Sequence, residues 1–130
     1  MREIKFRGWN GKNKKWIYGY YFANRGEHFI SPDEVVNPLV SYDDFVVDKD
    51  SIGQYTGLKD KNGVEIYEGD IVLCRGHNGQ MKAAVVFSYG CFNVGCHQGS
   101  STKKTPMLLN PKMEVIGNVH ENKELLTNNE

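Results

Sequence analysis

Cysteine is scarce in this chain, and its scarcity limits how the fold can be held together. Three cysteines among 130 residues, an odd number, cannot complete a disulfide framework. With no hydrophobic leader over Met1 to Trp9, they read as reduced thiols in a cytoplasm. Long apolar runs are missing too. The longest, Ala83 to Phe87, falls far short of the roughly twenty residues that a helix needs to cross a bilayer, so no membrane partner is expected. No Walker loop, dinucleotide fingerprint or hydrolase elbow occurs, and none of His28, His77, His97 and His120 stands beside a nucleophile in a recognisable motif. The expectation is a protein without enzymatic activity and without a cofactor.

Net charge is absent as a sum, since 16 basic residues balance 16 acidic ones, but it is segregated along the chain. Residues 1–25 carry +6, residues 26–70 carry −8 and residues 71–130 carry +2. Opposite blocks of this kind neutralise each other on one folded surface or across a subunit contact, which makes a protein partner, a second copy included, the leading expectation. A basic face for nucleic acid is the alternative. A chain of 130 residues buries roughly two-thirds of its unfolded surface, enough for one ordinary core or two small ones without metal or disulfide.

Asn-Gly occurs at 10–11, 62–63 and 78–79, each time between stretches that favour extended structure. Strands are expected at Ile4 to Trp9, Trp16 to Ala23, Phe45 to Asp48, Ser51 to Tyr55, Ile71 to Arg75, Met81 to Ser88, Phe92 to Cys96 and Met113 to Val119. In the second of these, Trp16, Tyr18, Tyr20 and Phe22 share one face, and Ile17, Gly19, Tyr21 and Ala23 the other, so both faces need at least partial cover. Ser31-Pro32-Asp33-Glu34 has the form of a helix start ended by Pro38. Gln98 to Lys104 reads as an exposed loop, and Asn122 as the cap of a helical turn at Lys123 to Leu126. Residues 127–130 form a flexible tail in this reading.

Residues Ile52 to Val72 hold four glycines, at 53, 57, 63 and 69, between short β-prone runs, as in a backbone that reverses repeatedly. This run, with Gly53, Gln54, Tyr55, Thr56, Gly57, Asp60, Gly63, Glu68, Gly69 and Asp70, resembles the signature of the YopX family of phage and prophage proteins. Arg2 to Trp9, Trp16 to Gly19 and Val115 to His120 resemble further family segments in the family order. The resemblance implies one YopX-like domain over 1–130, from a bacteriophage or prophage, in a family without an established activity. The stretch Leu73 to Pro111, with Cys74, Cys91 and Cys96, carries none of these segments, and a function peculiar to this chain would lie there. Asn122-Lys123 departs from the Asn-Pro that relatives place before Glu-Leu-Leu.

Asp60, Glu65, Glu68 and Asp70 could suggest an active site, but Asp60 lies two residues before Asn-Gly and Asp70 follows a glycine into a strand. Both positions favour a carboxylate that accepts from turn N–H groups. Asp48, Asp50 and Gly53 imitate half of a calcium loop, yet Ile52 fills an oxygen position and Lys59 the last one. Cys74, Cys91, Cys96 and His97 lack the close pairs of zinc modules and read as strand residues with free thiols. No metal is expected. Lys5, Phe6, Arg7, Trp9, Lys12, Lys14, Lys15, Trp16 and Tyr18 interleave charge with rings, so Lys12, Lys14 and Lys15 are the candidate phosphate contacts if the rings stack bases. Core packing of Phe6, Trp9 and Trp16 is the competing reading.

Short strands between glycine turns point to a mainly β protein with antiparallel strands and one or two short helices. The Glu-Gly-Asp-Ile-Val step into a meander resembles small barrels such as Src-homology and KOW modules. By that analogy Ser51 to His120 is a small barrel-like subdomain and residues 1–50 an amino-terminal β subdomain. The functional expectation is a non-enzymatic accessory protein that binds protein or copies of itself, with weak nucleic-acid binding as the alternative.

Overall fold

The computed structural model describes residues 3–32, 42–76, 79–88, 90–95 and 107–127. The chain divides into two compact units, Met1–Tyr55 and Thr56–Glu130. Both are built of antiparallel strands, as the turn spacing requires.

In the first unit β1 (Phe6–Asn10) and β2 (Lys15–Asn24) form a hairpin in which Trp9 faces Trp16 and Arg7 faces Tyr18. The Asn-Gly at 10–11 is not its positive-φ pair; the left-handed residue is Lys14, at φ 53°. Asn10 is instead a buried hub. Its Nδ2 donates to the carbonyls of Asp43, Asp44 and Val46 at 3.3, 3.2 and 2.9 Å, while its Oδ1 accepts from Asn13 N at 2.7 Å.

At Gly19 of β2 the φ of 152° is one that side chains resist, and a Cβ there would lie 2.1 Å from the Ser31 carbonyl oxygen. From Tyr20 on, β2 pairs with β3 (Glu27–Ser31), a strand the sequence reading did not contain. Arg25 and Gly26 join the two with φ of 52° and 79°, the paired positive values of a type I′ turn. β4 (Val46–Val47) lies outside β3, and β5 (Gly53–Lys59) begins against β1, giving the order β4-β3-β2-β1-β5. Ile17, Ile30 and Val47 make the core, with Phe6 and Ile52 packed on it.

Ser51, expected to open a strand, ends a 3-10 turn over Lys49–Ser51. Its Oγ donates to Asp48 O at 2.6 Å and accepts from Trp9 N at 2.8 Å.

In the second unit residues 56–59 of β5 lead to β6 (Glu65–Tyr67). A meander of β7 (Asp70–Gly76), β8 (Gly79–Ser88), β9 (Cys91–Gly95) and β10 (Met107–Leu108) follows, and β11 (Glu114–Asn118) returns beside β7. Paired residues Val72 and Ala83, and Val85 and Val94, stack on one face with Ile66, Cys74 and Met113 as a fully buried cluster. The expected barrel is not closed. Among the described residues this is an open five-stranded sheet, ordered β10-β9-β8-β7-β11, whose two edge strands, β10 and β11, do not pair with each other; β11 is bulged at Val115/Gly117.

The only α-helix among the described residues is α1 (Glu124–Thr127). Asn122 does not cap it with its side chain, which turns back to accept from Asn118 N at 3.2 Å. Ser31, expected to start a helix ended by Pro38, is instead the last residue of β3, and residues 33–38, the loop at Gln98 to Lys104, Cys96, His77, His97 and the tail beyond Thr127 fall outside the described residues. No helix among the described residues is long and apolar enough to cross a membrane.

Candidate functional site

Two groups of residues are candidates: the glycine-punctuated signature and the basic, aromatic hairpin of β1 and β2. The signature uses its polar groups on its own backbone. Gly57, Gly63 and Gly69 have φ of 89°, 83° and 93°, values that side chains resist; Gly63 and Gly69 stand in turns, and Gly57 lies within β5. Gly53 and Gln54 pair with Arg7 and Phe6 in the ladder. Tyr55 is buried beneath the Lys5 ammonium, 5.2 Å from its ring centroid. Thr56 Oγ1 donates to Ile66 O at 2.8 Å, tying β5 to β6.

Asp60 is only 5% exposed. Its Oδ1 accepts from Asn62 N and Val64 N at 2.8 and 2.9 Å, and its Oδ2 from Val115 N at 2.9 Å. Burial alone raises its pKa, but the N–H groups of Val115, Val64 and Asn62, with Lys61 beside them, outweigh burial and hold the carboxyl below its ordinary value. Asp70, 2% exposed, accepts from Tyr67 N at 2.7 Å and closes the step from β6 into β7. Glu65 accepts from the Tyr67 hydroxyl at 3.2 Å, and Glu68 is half-exposed in the same turn. Among the described residues no three His, Cys, Asp or Glu side chains gather in a way that could hold a metal ion. Asp48, the first residue of the apparent calcium loop, caps the 3-10 turn by accepting from Asp50 N.

The hairpin consumes much of its own charge and aromatic surface. The Arg7 guanidinium is buried over the Trp16 ring at 4.8 Å, and Trp16 meets Trp9 edge-on at 5.5 Å. Phe6 turns toward the core and toward Tyr21. Lys12 reaches the Asp44 carboxylate at 3.6 Å, whereas Lys14 and Lys15 are exposed.

Both faces of β2 are partly covered, as expected, and both leave tyrosine exposed. Ile17 is buried, Trp16 and Phe22 are half-buried, and Tyr18, Tyr20 and Tyr21 stay 47, 44 and 37% exposed.

A feature the sequence reading missed is a cleft of about 460 Å3 lined by Phe22, Asn24, Glu27, Phe29, Asp43 and Val46. The Phe22 and Phe29 rings stack at 4.9 Å, 12° from parallel. The signal for it was the Asn24-Arg25-Gly26-Glu27 turn, which implies β3 and puts Phe22 opposite Phe29.

A search of solved structures finds similarity to "Crystal structure of protein EF1440 from Enterococcus faecalis", at 26% identity and a TM-score of 0.59, over 97% of this chain and 99% of that one. No curated protein matches the chain. The family model described as "YopX protein" matches residues 5–127 and so takes in the signature, the hairpin and the last strand. This chain belongs to the YopX family.

Proposed function

We propose that the protein is a non-enzymatic accessory protein of phage or prophage origin that works in the cytoplasm of its bacterial host by binding protein. The observation that supports this reading most is the exposure of Tyr18, Tyr20 and Tyr21 on a paired strand. Tyrosine offers a large amphipathic contact surface with little side-chain entropy to lose, which suits it to protein interfaces. The buried signature carboxylates Asp60 and Asp70 accept from backbone N–H groups, the arrangement of turn supports rather than of a proton-transfer pair. The second reading, nucleic-acid binding through Lys12, Lys14 and Lys15, draws on the exposure of Lys14 and Lys15. It is weakened by the Asp44 carboxylate against Lys12 and by the burial of Arg7.

A photo-reactive phenylalanine analogue placed at Tyr18 and activated in host cells distinguishes the two. Nuclease-resistant adducts of defined mass are expected. Nuclease-sensitive adducts would overturn the reading. So would saturable, steeply salt-dependent oligonucleotide binding lost in Lys12→Glu, Lys14→Glu, Lys15→Glu.

A further inference from the structure

The cleft in the first unit is lined by both apolar and acidic side chains. The stacked rings of Phe22 and Phe29 and the side chain of Val46 line it together with Asn24 and the exposed carboxylates of Glu27 and Asp43. Glu27 has no ion-pair partner among the described residues. This is the chemistry that receives a lysine side chain: methylenes lie along the rings while the ammonium meets the carboxylates and the ring faces. Its volume falls within the range of ligand clefts, so it accommodates more than one side chain.

The same unit carries the complementary group. Lys14 and Lys15, at the exposed end of the β1–β2 hairpin, also lack ion-pair partners among the described residues. Lys14 holds a left-handed backbone that fixes the shape of the tip. Lys12 already pairs with Asp44, beside Asp43 in sequence, so lysine of this hairpin and carboxylate of this turn are compatible at short range. We propose that the cleft of one molecule receives the Lys14–Lys15 hairpin tip of a second copy. The inference rests on the protein-binding reading and names its partner. If each molecule gives its tip to the other's cleft the interface is isologous and closes as a dimer; if not, the contact is heterologous and builds a ring or an open filament.

Light scattering after gel filtration, on the full chain over a wide concentration range at low and moderate salt, tests it. The mass should rise above the 14.8 kDa of one chain with concentration. Glu27→Lys, at an exposed site, and Lys14→Glu with Lys15→Glu should each weaken association at least tenfold. An equimolar mixture of these two charge-reversed proteins should recover it, because reversed cleft meets reversed tip. A single species of one-chain mass at every concentration, association indifferent to both reversals, or loss without recovery in the mixture would each overturn the proposal. None of these results decides whether Tyr18 cross-links to another protein, so the two readings fail separately.

Discussion

Asp60 shows how one side chain can fix several backbone segments. Its two oxygens accept three N–H groups from Asn62, Val64 and Val115, so it shapes its own turn and holds the start of β11 against it. In Asp60→Asn the amide oxygen can still serve Asn62 and Val64, but the NH2 group then faces the Val115 N–H, donor against donor. We expect a loss of about 2 kcal/mol at neutral pH, read by urea denaturation, with faster amide exchange at Val115. Because the folded carboxyl lies below its unfolded value of about 3.9, its contribution is complete above that pH and is lost as pH falls through the folded value. The gap between wild type and variant should therefore close on acidification below about pH 4. An Asp two residues before Asn-Gly made this role legible in the sequence. Asn10 was not legible, because the carbonyls it holds are 33, 34 and 36 residues away and an Asn-Gly pair reads locally as a turn.

Strands bounded by glycine and by alternation, β7 to β9 and β11 among them, were readable from local pattern because each carries its own turn signals. β3 was missed because its turn places arginine where asparagine or glycine is usual, and with it went the pairing of Phe22 and Phe29 that builds the cleft. Arg25 is exposed and its side chain makes no hydrogen bond, ion pair or ring contact among the described residues, so changing it removes no such interaction. Arg25→Asn, better suited to positive φ, is expected to stabilise the fold by about 0.5 kcal/mol, and Arg25→Val to destabilise it by about 1 kcal/mol. Thermal denaturation of the pair checks both signs. Equal melting temperatures would mean that this hairpin does not hold the turn described. The barrel was over-read for a related reason. A Gly-Asp step specifies how a chain leaves a turn, whereas closure depends on pairing between strands far apart in sequence, which no local pattern carries.

For the whole molecule, segregated charge and a repeated glycine spacing were both visible in the sequence, and they had different destinations in the structure. Part of the amino-terminal positive charge meets the acidic middle segment within one unit, as at Lys12 and Asp44, and part remains exposed at Lys14 and Lys15. The glycine-spaced signature became strands and turns in which the Asp60 and Asp70 side chains are bonded to backbone, which is why a family motif of this regularity need not mark a reaction centre. The most direct measurement is an NMR titration of the Asp60 carboxyl carbon in the full chain, with and without magnesium or calcium. A midpoint below the ordinary aspartate value of about 3.9, unmoved by either cation, is expected of a carboxylate committed to three backbone N–H groups. A midpoint at or above that value, or one displaced by a divalent cation, would mean that the signature holds a reactive or metal-binding group and would contradict its role as scaffold.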